Sequence, residues 1–430
     1  MTDTKDFLKE SFGISEKVYD FCEAIRKDLR PQFEVIDEVS RYNQLKVLAA
    51  FRDNRISSGH LTGSSGYGYG DGGREVIDSV YAQVFRAEDA LVRHNIISGT
   101  HALSLCLFGV LRPGDTVTAV TGKPYDTLEE VIGISGAPGS GSLKDFGINY
   151  NQIDLKDGLV DHNKIMLTLD IGTKAVLIQK SKGYDWRASL TNAEIGKIIK
   201  TVKGVNSEII CIVDNCYGEF AEFDEPTAYG ADLAAGSLIK NPGGGMASTG
   251  GYVVGRKDLI EYVAYKLNSV GLGKEVGATL NMNKEILQGF FMAPHVVGES
   301  MKSAVFCGAV FSRLGFEVSP NVGDVRSDII QAIKLGSEEA VVQFCRSVQK
   351  GAPIDSFVTP EPWDMPGYSH KVIMAAGAFN QGASIEFSAD APIKPPYIAY
   401  LQGGLTFDSA YAGIAGAVED FVKNGIVTAF

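Results

Sequence analysis

A lysine on a glycine-rich turn is the most reactive prospect in this 430-residue chain. Residues 231–245 read ADLAAGSLIKNPGGG, which sets Lys240 between two runs that read as strands. Burial disfavours the ammonium form of a lysine, and a neutral amine attacks an aldehyde to form a Schiff base. The neighbouring glycines let backbone approach a bound molecule closely. A solvated turn lysine is the plain alternative, and the flanking pattern argues against it.

Three further segments add compatible chemistry. Residues 208–215, EIICIVDN, are an apolar run ending at Asp214, 26 residues before Lys240. Ligands of open parallel sheets gather at the carboxyl ends of strands. An aspartate there can pair with a protonated pyridine nitrogen and keep the ring an electron sink, or it is an ordinary loop acid. Residues 97–102, ISGTHA, join a strand to an apolar helix. Ser98, Gly99 and Thr100 would present free N–H groups to a phosphate at the helix start, and simple capping by Ser98 or Thr100 is compatible with that. Tyr125, in TGKPYDTL, follows another strand and offers a ring for stacking on a pyridine, or serves as a turn tyrosine. Ser237, three residues before the lysine, offers a hydroxyl to the same phosphate.

These residues need a scaffold of alternating elements, and the chain supplies one. Short β-rich runs at residues 90–97, 116–120, 175–179, 209–213 and 251–254 are separated by amphipathic stretches such as residues 191–202. That alternation predicts an α/β fold with a mostly parallel sheet. Residues 14–51 read as two helices interrupted at Pro31, and residues 59–73, GHLTGSSGYGYGDGG, as a long functional loop. After about residue 290, helical stretches (299–314, 328–349) mix with short strands (370–375, 384–387), which predicts a smaller α+β domain. The expected division is an N-terminal helical segment 1–58, a large domain 59–289 and a C-terminal domain 290–430.

Composition removes several function classes. The net charge of −12 argues against a nucleic-acid partner. The six cysteines form no C-x-x-C pair, and the six histidines form no H-E-x-x-H motif, so no metal site is expected. The glycines of 66–73 do not follow a strand, and those of 136–141 lack a P-loop ending, so nucleotide binding is unsupported. The charged N-terminus lacks a signal-peptide pattern, and no apolar run is long enough to span a membrane, which predicts a cytoplasmic protein.

The motifs GYGYGDGGRE, ALVRHNIISGTHAL, TGKPYDTLEE, VDNCYGEF, GSLIKNPGGG and IEFSADAPIKPPYIAYLQGGLTF occur in one order from about residue 50 to the C-terminus. Together they resemble the methionine gamma-lyase-like proteins often labelled aluminium resistance proteins. These have the aspartate aminotransferase fold (fold type I) of pyridoxal 5′-phosphate (PLP) enzymes and are similar to the cystathionine lyases. The resemblance implies that Lys240 holds PLP and shuttles protons, and that Asp214 pairs with the ring nitrogen. Gly99, Thr100 and Ser237 would cradle the phosphate and Tyr125 would cover the ring. Tyr69 with Arg74 would stand for the Tyr-x-Arg pair that a neighbouring subunit lends in related lyases, at a longer spacing. The better-known lyases carry Ser or Thr before the lysine, where this chain has Ile239. They also carry a C-terminal arginine for the substrate carboxylate, and here the last arginine is Arg346. Lys394 or Arg187 would then hold that carboxylate, although lysine lacks the bidentate fork. The implied activity is carbon–sulfur β- or γ-elimination on a sulfur-containing amino acid. Transamination, racemisation, aldol cleavage or a non-catalytic PLP-binding stress role are the alternatives. A homodimer or homotetramer is implied, with residues 59–73 crossing the interface.

Overall fold

The computed structural model describes residues 3–170, 172–365, 368 and 370–428. It divides into two compact units, one of residues 42–183 and 187–293, the other of residues 1–41, 184–186 and 294–430.

The larger unit is organised by seven short runs of apolar and small residues, which become β1 (Asp89–Arg93), β2 (Thr116–Ala119), β3 (Asn149–Gln152), β4 (Thr173–Gln179), β5 (Ile210–Asp214), β6 (Leu233–Ser237) and β7 (Gly251–Gly255). They form one sheet in the order β1-β7-β6-β5-β4-β2-β3. Strands β6, β5, β4, β2 and β3 are parallel, and β7 is antiparallel to both neighbours. The inner strands are buried along nearly their whole length, so they read as continuous apolar runs without alternation. Helix Gly99–Val110 is apolar nearly all round because it is buried in one cluster with Val117, Leu177, Ile212, Leu233 and Val253. Helix Asn192–Val205 starts on a capping box in which Thr191 and Glu194 satisfy each other's backbone N–H groups.

In the second unit β8 (Glu317–Ser319), β9 (Gln331–Lys334), β10 (Val372–Ala375), β11 (Ser388–Pro392) and β12 (Ile398–Gln402) form an antiparallel sheet in the order β10-β11-β12-β9-β8. Helix Glu338–Gly351 packs on this sheet and against helix Phe407–Lys423. The N-terminal residues 1–41 group with this unit rather than standing apart as 1–58, because they pack on its helices: the Ser15 N–H bonds Glu419 at 2.9 Å, and the Ser40 hydroxyl bonds the Pro294 carbonyl at 2.9 Å. The division between units falls at Pro294, inside the long helix Asn283–Arg313.

Several local expectations change. The break near Pro31 stands: helix Glu16–Asp28 ends before it, and Pro31 lies in the first turn of the next helix, Arg30–Asp53, where its missing N–H costs nothing. Residues 328–349 are not one helix. The β-branched run around Ile330 and Ile333 enters β9, Gly336 turns the chain at φ +80°, and Ser337 caps helix Glu338–Gly351. In place of a strand at 384–387 there is a 3₁₀ turn, Ser384–Glu386, and the strand begins only at Ser388, after Phe387 adopts φ +100°. Residues 59–73 are mostly irregular, with a short turn at Ser58–Leu61 and helix Gly72–Val84 beginning at their end. Among the described residues no helix is long and apolar enough to cross a membrane. The six cysteines are buried free thiols.

Candidate active site

Parallel strands deliver their last residues to one edge of the larger unit's sheet. Asp214 is the final residue of β5 and Ser237 the final residue of β6; Lys240 follows, directly before the 3₁₀ turn Asn241–Gly243. Gly99, the first residue of its helix, is in close contact with this edge. A Cβ at Gly99 would lie 2.7 Å from the Cys216 sulfur and 3.9 Å from the Ser237 Cβ. The Ser98 hydroxyl accepts from the His101 N–H at 3.0 Å, which makes it the helix cap. The Thr100 hydroxyl lies 2.6 Å from that of Thr127 in helix Asp126–Ile132, whose N-terminal neighbour is Tyr125. The Tyr125 ring in turn rests on Gly183, where a Cβ would come within 3.3 Å of it and where φ is +58°. Ser98, Gly99, Thr100, Tyr125, Asp214, Ser237 and Lys240 are thus tied to neighbouring strand ends and turns of one unit.

Electrostatics at this edge depart from the sequence reading in one respect. Burial does push the Lys240 amine down, but Cys216, Tyr217 and Asp214 around it outweigh burial and hold it above its ordinary value. Burial pushes the Cys216 thiol up, and Asp214 is the carboxyl group that faces the lysine. The Lys240 Nζ also sits 3.9 Å from the centroid of the Tyr217 ring, a cation–π contact that favours the charged form. Lys240 without a cofactor is therefore an ammonium ion, not the neutral amine expected from burial alone. Burial pushes the Asp214 carboxyl up, while Lys240 and the Cys216 N–H, 3.1 Å from its Oδ1, pull it back towards the charged form.

The remaining sequence candidates are bonded to other parts of the chain. Arg74 is buried in helix Gly72–Val84 and donates to the carbonyls of Gly68 (2.7 Å), Gly277 (2.8 Å) and Glu275 (3.3 Å). It therefore fastens its own chain's glycine-rich loop. Tyr69, in that loop, is exposed, with its ring tilted against that of Tyr67 at 5.7 Å between centroids. Arg187 is buried and donates to the carbonyls of Gln179, the last residue of β4, and of Ser181 and Ala188 beyond it. Lys394 is exposed and lines a groove of about 220 Å³ in the second unit with Trp186, Pro392, Ile398 and Tyr400.

Sequence reasoning passed over several buried polar residues beside the site. Lys180 is fully buried, with its Nζ 2.8 Å from Asn192 Oδ1 and 3.0 Å from Glu222 Oε1. Its stem lies over Gly218, where a Cβ would fall 2.6 Å from Lys180 Cδ. Asn215, Glu219, Glu225 and Tyr252 form a second buried group. The only signal for these was proximity to motifs already singled out, since Asn215 to Glu219 follow Asp214 directly.

The donor set suits PLP. The helix Gly99–Val110 has no acidic residue in its first turn to compete for an anion. Asp214 is a buried acid facing a cation, and Lys240 is the amine. Among the described residues no cluster of three or more His, Cys, Asp or Glu is placed to hold a metal.

The model of the methionine gamma-lyase family matches residues 18–422. An uncharacterised Bacillus subtilis protein, YnbB, is 50% identical over 94% of this chain and 96% of its own length. The structure of a carbon–sulfur lyase involved in aluminium resistance from Clostridium novyi is 51% identical with a TM-score of 0.93, covering 97% of this chain and 99% of that one. A proposed cystathionine beta-lyase involved in aluminium resistance from Clostridium acetobutylicum is 49% identical with a TM-score of 0.95 over 97% and 99% of the two chains. The PLP-dependent protein YhfS of Escherichia coli shares only the fold, at 15% identity and a TM-score of 0.61.

Proposed function

Because this chain belongs to the methionine gamma-lyase family, we propose that it is a PLP-dependent carbon–sulfur lyase acting on a sulfur-containing amino acid by β- or γ-elimination. The observation that carries the reading is the meeting of Lys240, Asp214, Ser237 and the start of helix Gly99–Val110 at one sheet edge. Its relatives of known structure named as a carbon–sulfur lyase and a proposed cystathionine beta-lyase support it.

PLP, when bound, supplies an aldehyde for an amine and a ring that stabilises negative charge at the carbon next to it. The chain's own residues do the rest. The free N–H groups at Gly99 and Thr100, with the Thr100 and Ser237 hydroxyls, hold the phosphate. Asp214, buried and facing a cation, would pair with the ring nitrogen. Lys240 is the base that takes the substrate's α-proton and the acid that returns a proton to a departing group. Tyr125, braced by Gly183 and by the Thr100–Thr127 bond, covers the ring and keeps water from it. Arg187 orients the substrate carboxylate.

Incubation with cystathionine, cysteine and methionine tests the reading. Release of a thiol together with a keto acid from one of them, lost in Lys240→Ala, is the expected result. Turnover that requires an added keto acid would mean transamination instead. The exposed Tyr67 and Tyr69 rings support an assembly in which residues 59–73 meet a second copy; light scattering should then give a dimer or tetramer, and a monomer would refute it.

A further inference from the structure

The turn after β5 bends back on itself with two side-chain-bearing residues at positive φ, Tyr217 (+72°) and Phe220 (+61°). Such backbone persists only where surrounding bonds over-determine it. Here the bonds run to the lysine turn and to the sheet. The Asn241 amide, one residue after Lys240, donates to the carbonyls of Tyr217 and Glu219, both at 2.9 Å. The fully buried Glu219 accepts from the Tyr252 hydroxyl at 2.8 Å. Asn215, next to Asp214, donates to Glu225 at 3.0 Å and to the Tyr252 hydroxyl at 3.3 Å. Glu225 also accepts from the Phe220 N–H at 2.9 Å. Space for the Glu219 carboxyl comes from Gly236, paired with Tyr252 across β6 and β7. A Cβ at Gly236 would lie 2.4 Å from Glu219 Oε1. The other carboxyl oxygen, Oε2, is buried without a hydrogen-bond partner. A buried acid with an unmatched oxygen is costly to keep for packing alone.

We propose that the buried Glu219–Tyr252 pair, with Asn215, Glu225 and Asn241, is a positioning network that sets the proton affinity of Lys240 without touching the reacting atoms. The assignment of Lys240 as the working amine is the part that rests on the lyase reading. Burial, with Glu225 adding to it, pushes the Glu219 carboxyl up to about 8, against the pull of its own backbone N–H, Tyr252 and Lys240. The titratable groups facing it are Tyr252 on β7, Tyr81 on helix Gly72–Val84, and Cys216, Glu225 and Lys240 on the turns. Lys180 and Lys46 face Glu225 beyond it. Burial keeps the two tyrosines and the cysteine neutral over the working range. Below about pH 8 Glu219 is thus a neutral acid, and Lys240 answers to Tyr217 and Asp214. Above it Glu219 becomes a second anion and strengthens Lys240's hold on its proton.

The test is the pH dependence of Lys240 reactivity in the cofactor-free protein, read by brief trinitrobenzenesulfonate labelling and peptide mass mapping. The midpoint for Lys240 should fall by about half a pH unit or more in Glu219→Gln. Tyr252→Phe removes the donor that stabilises the Glu219 anion and should shift the midpoint the same way, which keeps the test open if Glu219→Gln does not fold. A parallel titration of the visible band of the PLP-loaded protein should move in the same direction. A folded variant that melts lower but leaves the Lys240 midpoint unchanged would reduce the network to packing and overturn the proposal. Labelling needs no cofactor, so a wild type that takes up no PLP would sink the lyase reading without deciding this one.

Discussion

Replacing Gly99 by alanine strikes the contact that sets the start of helix Gly99–Val110 against the turn after Asp214. The new Cβ would lie 2.7 Å from the Cys216 sulfur. Non-bonded carbon atoms settle at about 3.5–4.0 Å, so roughly 1 Å must be absorbed by movement. Cys216 is buried, and its N–H is bonded to Asp214 Oδ1 at 3.1 Å, so a shift of this residue disturbs the acid as well. Overpacking of this kind costs about 1–3 kcal/mol. If that cost falls on the cofactor-bound state, PLP binds about 5- to 150-fold more weakly, since 1.4 kcal/mol is tenfold. Titration of the cofactor-free protein with PLP, followed in the visible spectrum, measures the loss. Adding Cys216→Ala removes the obstructing sulfur and should restore affinity to within about threefold of the Cys216→Ala single variant. Wild-type affinity in Gly99→Ala, or a loss that Cys216→Ala does not relieve, would refute the reasoning.

Two further predictions concern segments outside the lysine turn. Burial works to raise Asp71, but Ser64, Thr279, the Arg74 N–H and Asn283 donate to it and hold it down at about 2. Its folded value lies below the ordinary 3.8, so its contribution is complete above about pH 4–5 and lost as pH falls through about 2. Wild type should lose about 2 kcal/mol over that window that Asp71→Asn does not lose; identical acid unfolding curves would contradict this. Arg187→Ala removes donors to three carbonyls at and beyond the end of β4 and should lower the melting temperature of the cofactor-free protein by several degrees. Unchanged melting with a raised KM would make Arg187 a substrate clamp alone.

The sequence carried the parallel sheet clearly where burial on both faces demanded Val and Ile, as in β4 and β5. It was silent where other forces decide. The edge strand β3 reads NYNQ and is largely exposed, so nothing apolar marks it. In β6, LAAGS is small rather than β-branched because Gly236 must make room for Glu219. Residues 328–349 have apolar spacing compatible with a helix, and only pairing with β12 and β8 reveals β9. The site divides in the same way. Lys240, Asp214 and Ser237 announce themselves by position at strand ends. The charge state of Lys240 does not, since it depends on Tyr217 and Asp214 brought close by the fold. Lys180 and Glu219 look like surface charges in the sequence, and their burial follows from Gly218 and Gly236 leaving space for them. Arg74 matched a phosphate-binding motif in type, yet its place in the first turn of a helix turns it onto backbone carbonyls.

The most direct test of the central claim is the visible absorption spectrum of the purified protein after addition of PLP, with Lys240→Ala alongside. A yellow wild type whose band is absent in Lys240→Ala and shifts when a sulfur-containing amino acid is added is the predicted result. A wild type that stays colourless with PLP present, or a Lys240→Ala variant with an unchanged band, would contradict the assignment of Lys240 as the cofactor's lysine.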